Sequence, residues 1–395
     1  MDHTPAARPL VAIVGGGAAG IFTAWQINRL WPDRFELHLF ERSAQPGGNA
    51  QSLQVEHDGR RYTLDAGAQF FDRGAQPLYT QALAQLGLGA GITSHATGIT
   101  LWDSARHERL LWLPAQLDGF KRYTARDWQR LLKFAAFVVS AALLHAAPAP
   151  DWSLSVDDWF AGLPLPENFK RRTLKTFLYQ FLSMPPAASG RASALYATDY
   201  FLRSIAGGSG ADGSEGAPAL FRVLQLQDGL AAALERALAL SGATLHAAAT
   251  VAAVSPAPGG VRLVAGGAAF NADLLVFACS PGDCAAMLAA GGQGDAELVP
   301  LLRALARDYL PLSIVLGQDT PGWMPADERY WEAVNTLAGT HDAAIAFSVW
   351  FGPLRPPGRS GRPVRLFKSW GSPSLSGAPA AGVFFEHQHQ VLLPT

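Results

Sequence analysis

A glycine-rich turn near the start of the chain constrains its fold more than any other feature. Residues 11–20 read Val-Ala-Ile-Val-Gly-Gly-Gly-Ala-Ala-Gly, an apolar run that ends in the spacing G-x-G-x-x-G, and a helix-compatible stretch follows. Gly15 allows a sharp turn off the strand, Gly17 leaves room for a pyrophosphate, and Gly20 lets the helix pack closely. The free N–H groups and positive dipole end of such a helix favour phosphate. The pattern predicts a dinucleotide site at Gly15, Gly16, Gly17, Ala19 and Gly20.

An acid follows at the spacing that such a site requires. Residues 37–41 read Leu-His-Leu-Phe-Glu, a second apolar run that ends in Glu41, 21 residues after Gly20. A carboxylate at this position can accept hydrogen bonds from the hydroxyls of an adenosine ribose. The alternative, a glycine-rich strand–helix turn in another kind of α/β protein, leaves the position of Glu41 unexplained. We therefore expect Glu41 to bind the ribose of a dinucleotide.

The segments that follow resemble a known flavoprotein superfamily. Residues 41–49 read Glu-Arg-Ser-Ala-Gln-Pro-Gly-Gly-Asn, and residues 62–71 read Tyr-Thr-Leu-Asp-Ala-Gly-Ala-Gln-Phe-Phe. This order resembles the FAD-dependent amine oxidases and phytoene desaturases, in which a Gly-Gly-Arg-like turn, a hairpin and an Asp-x-Gly strand end line the pyrophosphate and the flavin ring. By position, the resemblance implies cofactor contacts for Arg42, Gly47, Gly48, Asn49, Gly67, Ala68, Gln69 and Phe70. Asn49 replaces the commoner Arg, so it can donate a hydrogen bond but brings no charge.

Two later stretches support the same resemblance. Residues 228–254 resemble a helix, a glycine turn and a strand whose Val contacts the adenine in the superfamily, which implies that role for Val251. Residues 273–281, Asp-Leu-Leu-Val-Phe-Ala-Cys-Ser-Pro, resemble the element that returns the chain to the flavin edge. A nicotinamide dinucleotide gives no reason for the Gly47-Gly48 turn or for the later strand. FAD is therefore the predicted cofactor.

The predicted fold is α/β, with a Rossmann-like FAD-binding domain interrupted by a substrate domain of helices and a mixed sheet. With 395 residues the chain is long enough for two domains. Helical patterns cover 128–144 and 168–182. Alternating patterns at 312–316 and 344–350 predict strands that cover the flavin. The glycine-rich segment 206–217 predicts a flexible loop. The predicted FAD-binding domain comprises 1–90 and 216–290. The predicted substrate domain has a helical part at 91–215 and a sheet part at 291–380. The chain end at 381–395 is predicted to return to the FAD-binding domain.

Composition excludes several classes of partner. The net charge is −1 and the basic residues are not clustered, so nucleic acid is not an expected partner. The two cysteines are five residues apart and form no disulfide framework, and the polar start of the chain lacks a signal-like apolar region, so we expect a cytoplasmic protein.

His387 and His389 alternate along a predicted strand without further ligands nearby, so no metal site is predicted.

The apolar segment 131–147 has two interpretations. It contains Lys133 and is short for a transmembrane helix, so no span is predicted. One interpretation is a buried or cavity-lining helix. The other is an apolar helix that meets a membrane surface, or an apolar substrate, at the mouth of a tunnel.

One expected element is missing from the pattern. The superfamily closes with a second FAD element, in which an apolar strand ends in a sequence like Ala-Gly-Asp and a helix follows. No such pattern occurs before Thr395. We interpret this as either a truncated chain or a divergent C-terminus, with weaker FAD binding if the element is absent.

Catalytic residues are not assigned by the sequence. Flavin oxidation requires chiefly that the substrate lies near flavin N5 in a dry pocket. Many amine oxidases carry a Lys on the strand above N5, but residues 311–315 contain none, and Lys368 on a later strand is interpreted as solvent-facing. Cys279 is interpreted as a small buried hydrophobic residue.

We expect an FAD-dependent oxidoreductase that carries out a two-electron oxidation, either amine oxidation or desaturation, of a largely apolar small molecule such as a secondary metabolite. O2 is the expected electron acceptor. Two alternatives stay open. One is an FAD- and NAD(P)H-dependent monooxygenase, although no second dinucleotide fingerprint is present. The other is a non-catalytic relative that lacks FAD.

Overall fold

The structure is a computed structural model that describes residues 8–184, 186–208, 219–292, 297–318, 324–338, 345–371 and 382–393. The strands in chain order are β1 (Leu10–Val14), β2 (Glu36–Phe40), β3 (Ser52–His57), β4 (Arg60–Asp65), β5 (Ile92–Ala96), β6 (Ile99–Asp103), β7 (Glu108–Leu113), β8 (Arg222–Leu226), β9 (Thr244–His246), β10 (Val251–Ala257), β11 (Gly260–Ala265), β12 (Ala268–Ala272), β13 (Leu274–Phe277), β14 (Tyr309–Gln318), β15 (Val334–Ala338), β16 (Ile345–Trp350), β17 (Leu366–Gly371) and β18 (Val383–Leu392). The helices are α1 (Ala18–Leu30), α2 (Pro77–Gln85), α3 (Ala125–His145), α4 (Val156–Gly162), α5 (Glu167–Phe169), α6 (Lys175–Leu182), α7 (Pro186–Ser189), α8 (Ala194–Gly208), α9 (Leu230–Ser241), α10 (Pro281–Ala290) and α11 (Leu298–Arg307).

The chain divides into two compact units. The first unit comprises Met1–Leu53, Gln85–Leu88 and Asp228–Asp308, and the second comprises Gln54–Ala84, Gly89–Gln227 and Tyr309–Thr395. Both units are discontinuous in sequence, and segments of the second unit interrupt the first. The predicted α/β class, a Rossmann-like domain interrupted by helices and a mixed sheet, is confirmed.

The first unit is built on a parallel sheet with the strand order β13-β1-β2-β9. Val14 pairs with Phe40 on one side and with Phe277 on the other, so three strands end at the same level. The sheet packs against the antiparallel strands β10, β11 and β12 through a shared apolar core. The buried members of this core are Ala12, Val14, Phe40, Val251, Val254, Leu263, Ala265, Ala272 and Met287. Loops that follow β1, β2 and β13 therefore meet at one edge of the sheet.

The second unit is built on a mixed sheet with the strand order β18-β14-β17-β16-β15-β6-β7. β15 and β6 are parallel, and the other neighbours are antiparallel. The predicted strand at 312–316 lies within β14, and the described part of the predicted strand at 344–350 is β16. β18, within the predicted chain end at 381–395, pairs with β14, and the return of that chain end to the FAD-binding domain stays a prediction.

Helices of the second unit pack through aromatic side chains. α3 begins at a capping box, in which Thr124 and Asp127 satisfy each other's backbone N–H groups, and this reciprocal pairing stabilises the first turn. Its buried Phe134 and Phe137 contact Phe177 and Phe201, with ring centroids 4.8 and 5.5 Å apart respectively. The helical pattern at 128–144 is confirmed by α3.

The other predicted helix, at 168–182, spans α5, a π-helical turn at Lys170–Leu174 and α6. Most of the predicted glycine-rich loop at 206–217 lies outside the described residues. Among the helices that the structure describes, none combines the length and apolarity needed to cross a bilayer.

Gly20 provides a test of the packing at the first turn of α1. An added Cβ would lie 1.9 Å from the carbonyl oxygen of Gly15, which is backbone and cannot move aside. We expect Gly20→Ala to lower the free energy of unfolding by about 3 kcal/mol or more, measured by urea denaturation. Gly162→Ala is the control, because nothing lies within 4 Å of its added Cβ. Equal stability of the two variants would contradict this account of the turn.

Candidate dinucleotide-binding site

Gly15 makes the turn at the end of β1. Its φ is +115°, a conformation that side chains rarely adopt, and an added Cβ would lie 2.5 Å from the carbonyl oxygen of Ala278. Its N–H donates to the carbonyl of Phe40 at 2.9 Å. The turn is therefore held between the ends of β2 and β13, and only glycine fits there.

A second glycine turn lies against the first. The N–H of Gly47 donates to the carbonyl of Gly16 at 2.7 Å, and Gly17 and Gly47 form an isolated bridge. An added Cβ on Gly17 would meet only the Cα of Gly48, at 3.9 Å. Gly17 therefore faces open space between two backbone segments that carry no side chains. We call this space, bounded by residues 15–17 and 47–48, the glycine cradle.

The N-terminus of α1 opens at the glycine cradle. Gly17 is the N-cap residue, no side chain caps the helix, and the first turn contains no acidic residue. The first N–H groups of a helix have no partner within the helix, and they carry the positive end of its dipole. Ala19 lies exposed in this first turn. The arrangement is suited to an anionic group such as a pyrophosphate.

Glu41 is fixed at the end of β2 by backbone amides. Its side chain is 8% exposed, Oε2 accepts from the N–H of Gly16 at 2.8 Å, and Oε1 accepts from the N–H of Ser43 at 2.8 Å. A carboxylate oxygen can accept more than one hydrogen bond, so both oxygens retain capacity for ribose hydroxyls. The contact with Gly16 was not anticipated from the sequence, which assigned Glu41 to the ligand alone.

Other residues assigned to the first unit differ in their surroundings. Arg42 is largely exposed, and its Nη1 lies 3.5 Å from Oδ1 of Asp283 in the first turn of α10. Asn49 is exposed, immediately after the glycine cradle. Val251 is buried in the core beneath the parallel sheet. Their assigned contacts with a cofactor stay predictions.

The remaining assigned residues lie in the second unit, just after β4. The carbonyl of Gly67 accepts a hydrogen bond from Nζ of Lys368, Ala68 is exposed, and Phe70 is half-buried. Gln69 is 4% exposed, and neither its Oε1 nor its Nε2 has a hydrogen-bond partner among the described residues. A buried amide without partners is costly, so Gln69 marks a place where a ligand could supply the missing bonds.

Lys368 is buried, and its interpretation as a solvent-facing residue was wrong. It lies on β17, which is flanked by β14 and β16, and only 1% of it is exposed. Its cross-strand neighbours are Leu316 and Val349. A strand in the middle of a covered sheet buries both faces, so a polar residue within it need not face solvent. The short apolar run around Lys368 was the only feature of the sequence that pointed to its burial.

Burial changes the protonation of Lys368. It lowers the pKa of the ammonium group to about 7, and the charge of Asp65, itself 1% exposed, offsets part of that effect. Nζ also lies 5.1 Å from the centre of the Trp370 ring. Lys368 can therefore hold or release a proton near neutral pH beside the carbonyl of Gly67.

Cys279, just after β13, and Cys284, in α10, are neighbours in space. Both are free thiols, with their Sγ atoms 3.5 Å apart, and Cys279 packs half-buried against the core of the first unit. Within the part of the chain that the structure describes, no group of three or more His, Cys, Asp and Glu side chains is placed to hold a metal ion.

Comparisons with known proteins agree with this geometry. Residues 13–86 match the family model of the NAD(P)-binding Rossmann-like domain. A cyclohexylamine oxidase from Brevibacterium oxydans IH-35A is 16% identical with a TM-score of 0.61, and the match covers 98% of this chain and 89% of that chain. The chain shares its fold with this amine oxidase. The resemblance expected from the sequence is thereby confirmed at the level of the fold.

Two further solved structures show the same fold. An oxidoreductase from Methanosarcina mazei is 15% identical with a TM-score of 0.62, covering 98% of this chain and 89% of that chain. A CLA-producing fatty acid isomerase from P. acnes is 13% identical with a TM-score of 0.62, covering 96% of this chain and 86% of that chain. No curated protein sequence gives a significant match.

Lys368→Met tests the lowered pKa of the buried Lys368 amine. The unfolded chain keeps this lysine protonated up to its ordinary pKa of 10.5, whereas the folded protein releases the proton near pH 7. The wild-type protein should therefore gain stability as pH rises between these values, by at most about 1.4 kcal/mol per pH unit from this group. Lys368→Met should lack that gain when urea unfolding is measured from pH 7 to pH 10.

Lys121→Met, at an exposed position, should keep the pH dependence of the wild type. Identical pH profiles for Lys368→Met and the wild type would contradict the burial of a neutral lysine.

Proposed function

We propose that this protein is an FAD-dependent oxidoreductase that carries out a two-electron oxidation, amine oxidation or desaturation, of a largely apolar small molecule. The observation that carries the proposal is the open glycine cradle at the N-terminus of α1, with the Glu41 carboxylate held beside it by Gly16. The shared fold and the resemblance of residues 41–49 and 62–71 to flavoprotein segments support FAD over a nicotinamide dinucleotide.

The residues of the first unit fit the adenosine and pyrophosphate parts of FAD. The N–H groups at the start of α1 and the glycine cradle would hold the pyrophosphate, because no side chain obstructs close approach there. Glu41 would accept hydrogen bonds from the ribose hydroxyls. Arg42 and Asn49 are exposed next to this region and would supply further donors.

The residues of the second unit offer groups for the flavin and the substrate. The buried amide of Gln69 would donate to and accept from polar atoms of the flavin, which would remove the cost of leaving it unsatisfied. When bound, FAD would supply the acceptor for the hydride, which carries the two electrons of the oxidation. Lys368 would hold or release a proton at Nζ. The Phe- and Trp-rich helices of this unit support an apolar substrate.

The first experiment is to purify the protein, record its visible absorbance, and release and identify the flavin. Bound FAD, followed by oxidation of amines or apolar substrates with O2 consumption and peroxide release, is the expected result. Substrate oxygenation coupled to NADPH consumption would replace the proposal with a monooxygenase. A colourless protein that takes up no added FAD would overturn it in favour of a non-catalytic relative.

Gly17→Ala separates ligand binding from folding. The added Cβ makes only an ordinary contact with Gly48, so the free energy of unfolding should change by less than about 1 kcal/mol. The same Cβ would occupy the approach of the pyrophosphate, and FAD affinity should fall at least about tenfold, or 1.4 kcal/mol, in a titration followed by flavin fluorescence. Gly162→Ala is the matched control. Full retention of FAD by Gly17→Ala would show that the glycine cradle does not bind the pyrophosphate of FAD.

Gln69→Leu should act in opposite directions on stability and binding. Removing an unsatisfied buried amide should leave the FAD-free protein equally stable, or more stable by up to about 3 kcal/mol. Loss of the proposed hydrogen bonds should weaken FAD by about three- to tenfold. Gln81→Leu, at an exposed position of α2, should change neither quantity. Unchanged FAD affinity in Gln69→Leu would show that the amide makes no hydrogen bond to FAD.

A further inference from the structure

The outer face of α3 is apolar and exposed along the whole helix. Trp128, Leu132, Val139 and Leu143 are 46, 69, 58 and 67% exposed, respectively. They follow one another at intervals of four, seven and four residues, which places them on one side of an α-helix. The positions between them on this side are the exposed alanines Ala135, Ala136 and Ala142. We call this face, from Trp128 to Leu143, the α3 apolar face.

The opposite face of α3 fixes the helix to the second unit. Phe137 contacts the rings of Trp159 and Phe201, each with centroids 5.5 Å away. At the N-terminal end, Nη2 of Arg109 lies 2.5 Å from Oδ2 of the buried Asp127. Because this side is already packed, the helix cannot turn its apolar face inward without breaking the aromatic core. The α3 apolar face is therefore a permanent feature of the surface, and the interpretation of 131–147 as a buried helix holds for one side only.

Trp128 is held in place at one end of the α3 apolar face. Its ring stacks on Phe120 with centroids 5.9 Å apart and meets Tyr123 edge-on at 5.1 Å. Leu117, in the preceding 3₁₀ helix Leu117–Arg122, is 47% exposed. A half-exposed tryptophan beside leucines is the composition that favours the interface between membrane headgroups and acyl chains.

Charges around the α3 apolar face are predominantly basic. Lys121 and Arg122 are exposed just before the helix, whereas Arg126 lies on the other side of α3 and pairs with Glu108 at 3.1 Å. The exposed acid at this end is Asp118. From residue 128 to residue 150 the sequence contains no Asp or Glu, and the exposed Asp151 follows at the far end of the helix. Because the whole chain has a net charge of −1, this basic bias is local.

We propose that the α3 apolar face docks the protein on an anionic lipid membrane, with α3 lying in the plane of the interface. The leucine, valine and tryptophan side chains would enter the headgroup and upper acyl region. Lys121 and Arg122 would contact anionic headgroups at the Trp128 end. Charge complementarity favours this occupant over a second copy of the chain, because no acidic group on the face would meet those basic residues. The inference does not depend on the proposed cofactor.

The test is co-sedimentation of the full protein with vesicles of phosphatidylcholine alone or mixed with phosphatidylglycerol. Binding should increase with phosphatidylglycerol content and fall with added salt. The double variant Leu132→Glu, Leu143→Glu should lower the affinity by more than about tenfold, because it places charges where apolar groups enter the membrane. Lys121→Gln, Arg122→Gln should lower the affinity for mixed vesicles by about 25-fold, at about fivefold per basic residue lost.

Leu78→Glu is the matched control, because Leu78 is 78% exposed on α2 and lies outside the α3 apolar face. It should bind vesicles like the wild type. The thermal unfolding midpoint should be unchanged in all variants, since every altered side chain is exposed. Two results would overturn the proposal. One is no sedimentation with vesicles of any composition, and the other is a dimer in light scattering that Leu132→Glu, Leu143→Glu dissociates, which would identify a second copy as the occupant.

Discussion

The hydrogen bond between the Glu41 carboxylate and the N–H of Gly16 holds the candidate site together. It joins the end of β2 to the turn after β1, while the N–H of Gly15 is bonded to the carbonyl of Phe40. Both bonds depend on the parallel register that brings Val14 and Phe40 to the same level. The open cradle at Gly17 exists because the turn is fixed from both sides and no side chain fills it.

Close backbone approach explains why glycine is required at particular positions of this site. Gly15 and Gly20 are needed by the fold itself, because an added Cβ at either would overlap a backbone carbonyl. Gly17 is different, since an added Cβ there meets nothing closer than 3.9 Å. The three glycines of one motif thus divide into two that pack the turn and one whose open side is available to a ligand.

The second unit places polar groups where most of the surroundings are apolar. Lys368 and Gln69 are both buried, and burial of a polar group must be offset by hydrogen bonds or by a change in protonation. Lys368 meets this requirement through the carbonyl of Gly67 and through its lowered pKa. Gln69 has no protein partner among the described residues, so its compensation is expected from a ligand. The α3 apolar face presents the reverse case, apolar groups in water, and a membrane would compensate for it.

The candidate dinucleotide site could be predicted from the sequence alone, because its main residues lie within a short span. The turn at Gly15–Gly20 and the acid at Glu41 belong to one strand–helix–strand segment, and the apolar periods of β1, α1, β14 and α3 can be read directly from the chain. The surroundings of Lys368 could not be predicted in this way, because they depend on strands β14 and β16 on either side of β17. The tertiary structure also determines which side of α3 is packed and which is exposed, since that depends on aromatic residues distant in sequence. Periodicity shows which residues share a face, but burial is set by what the rest of the chain places against it.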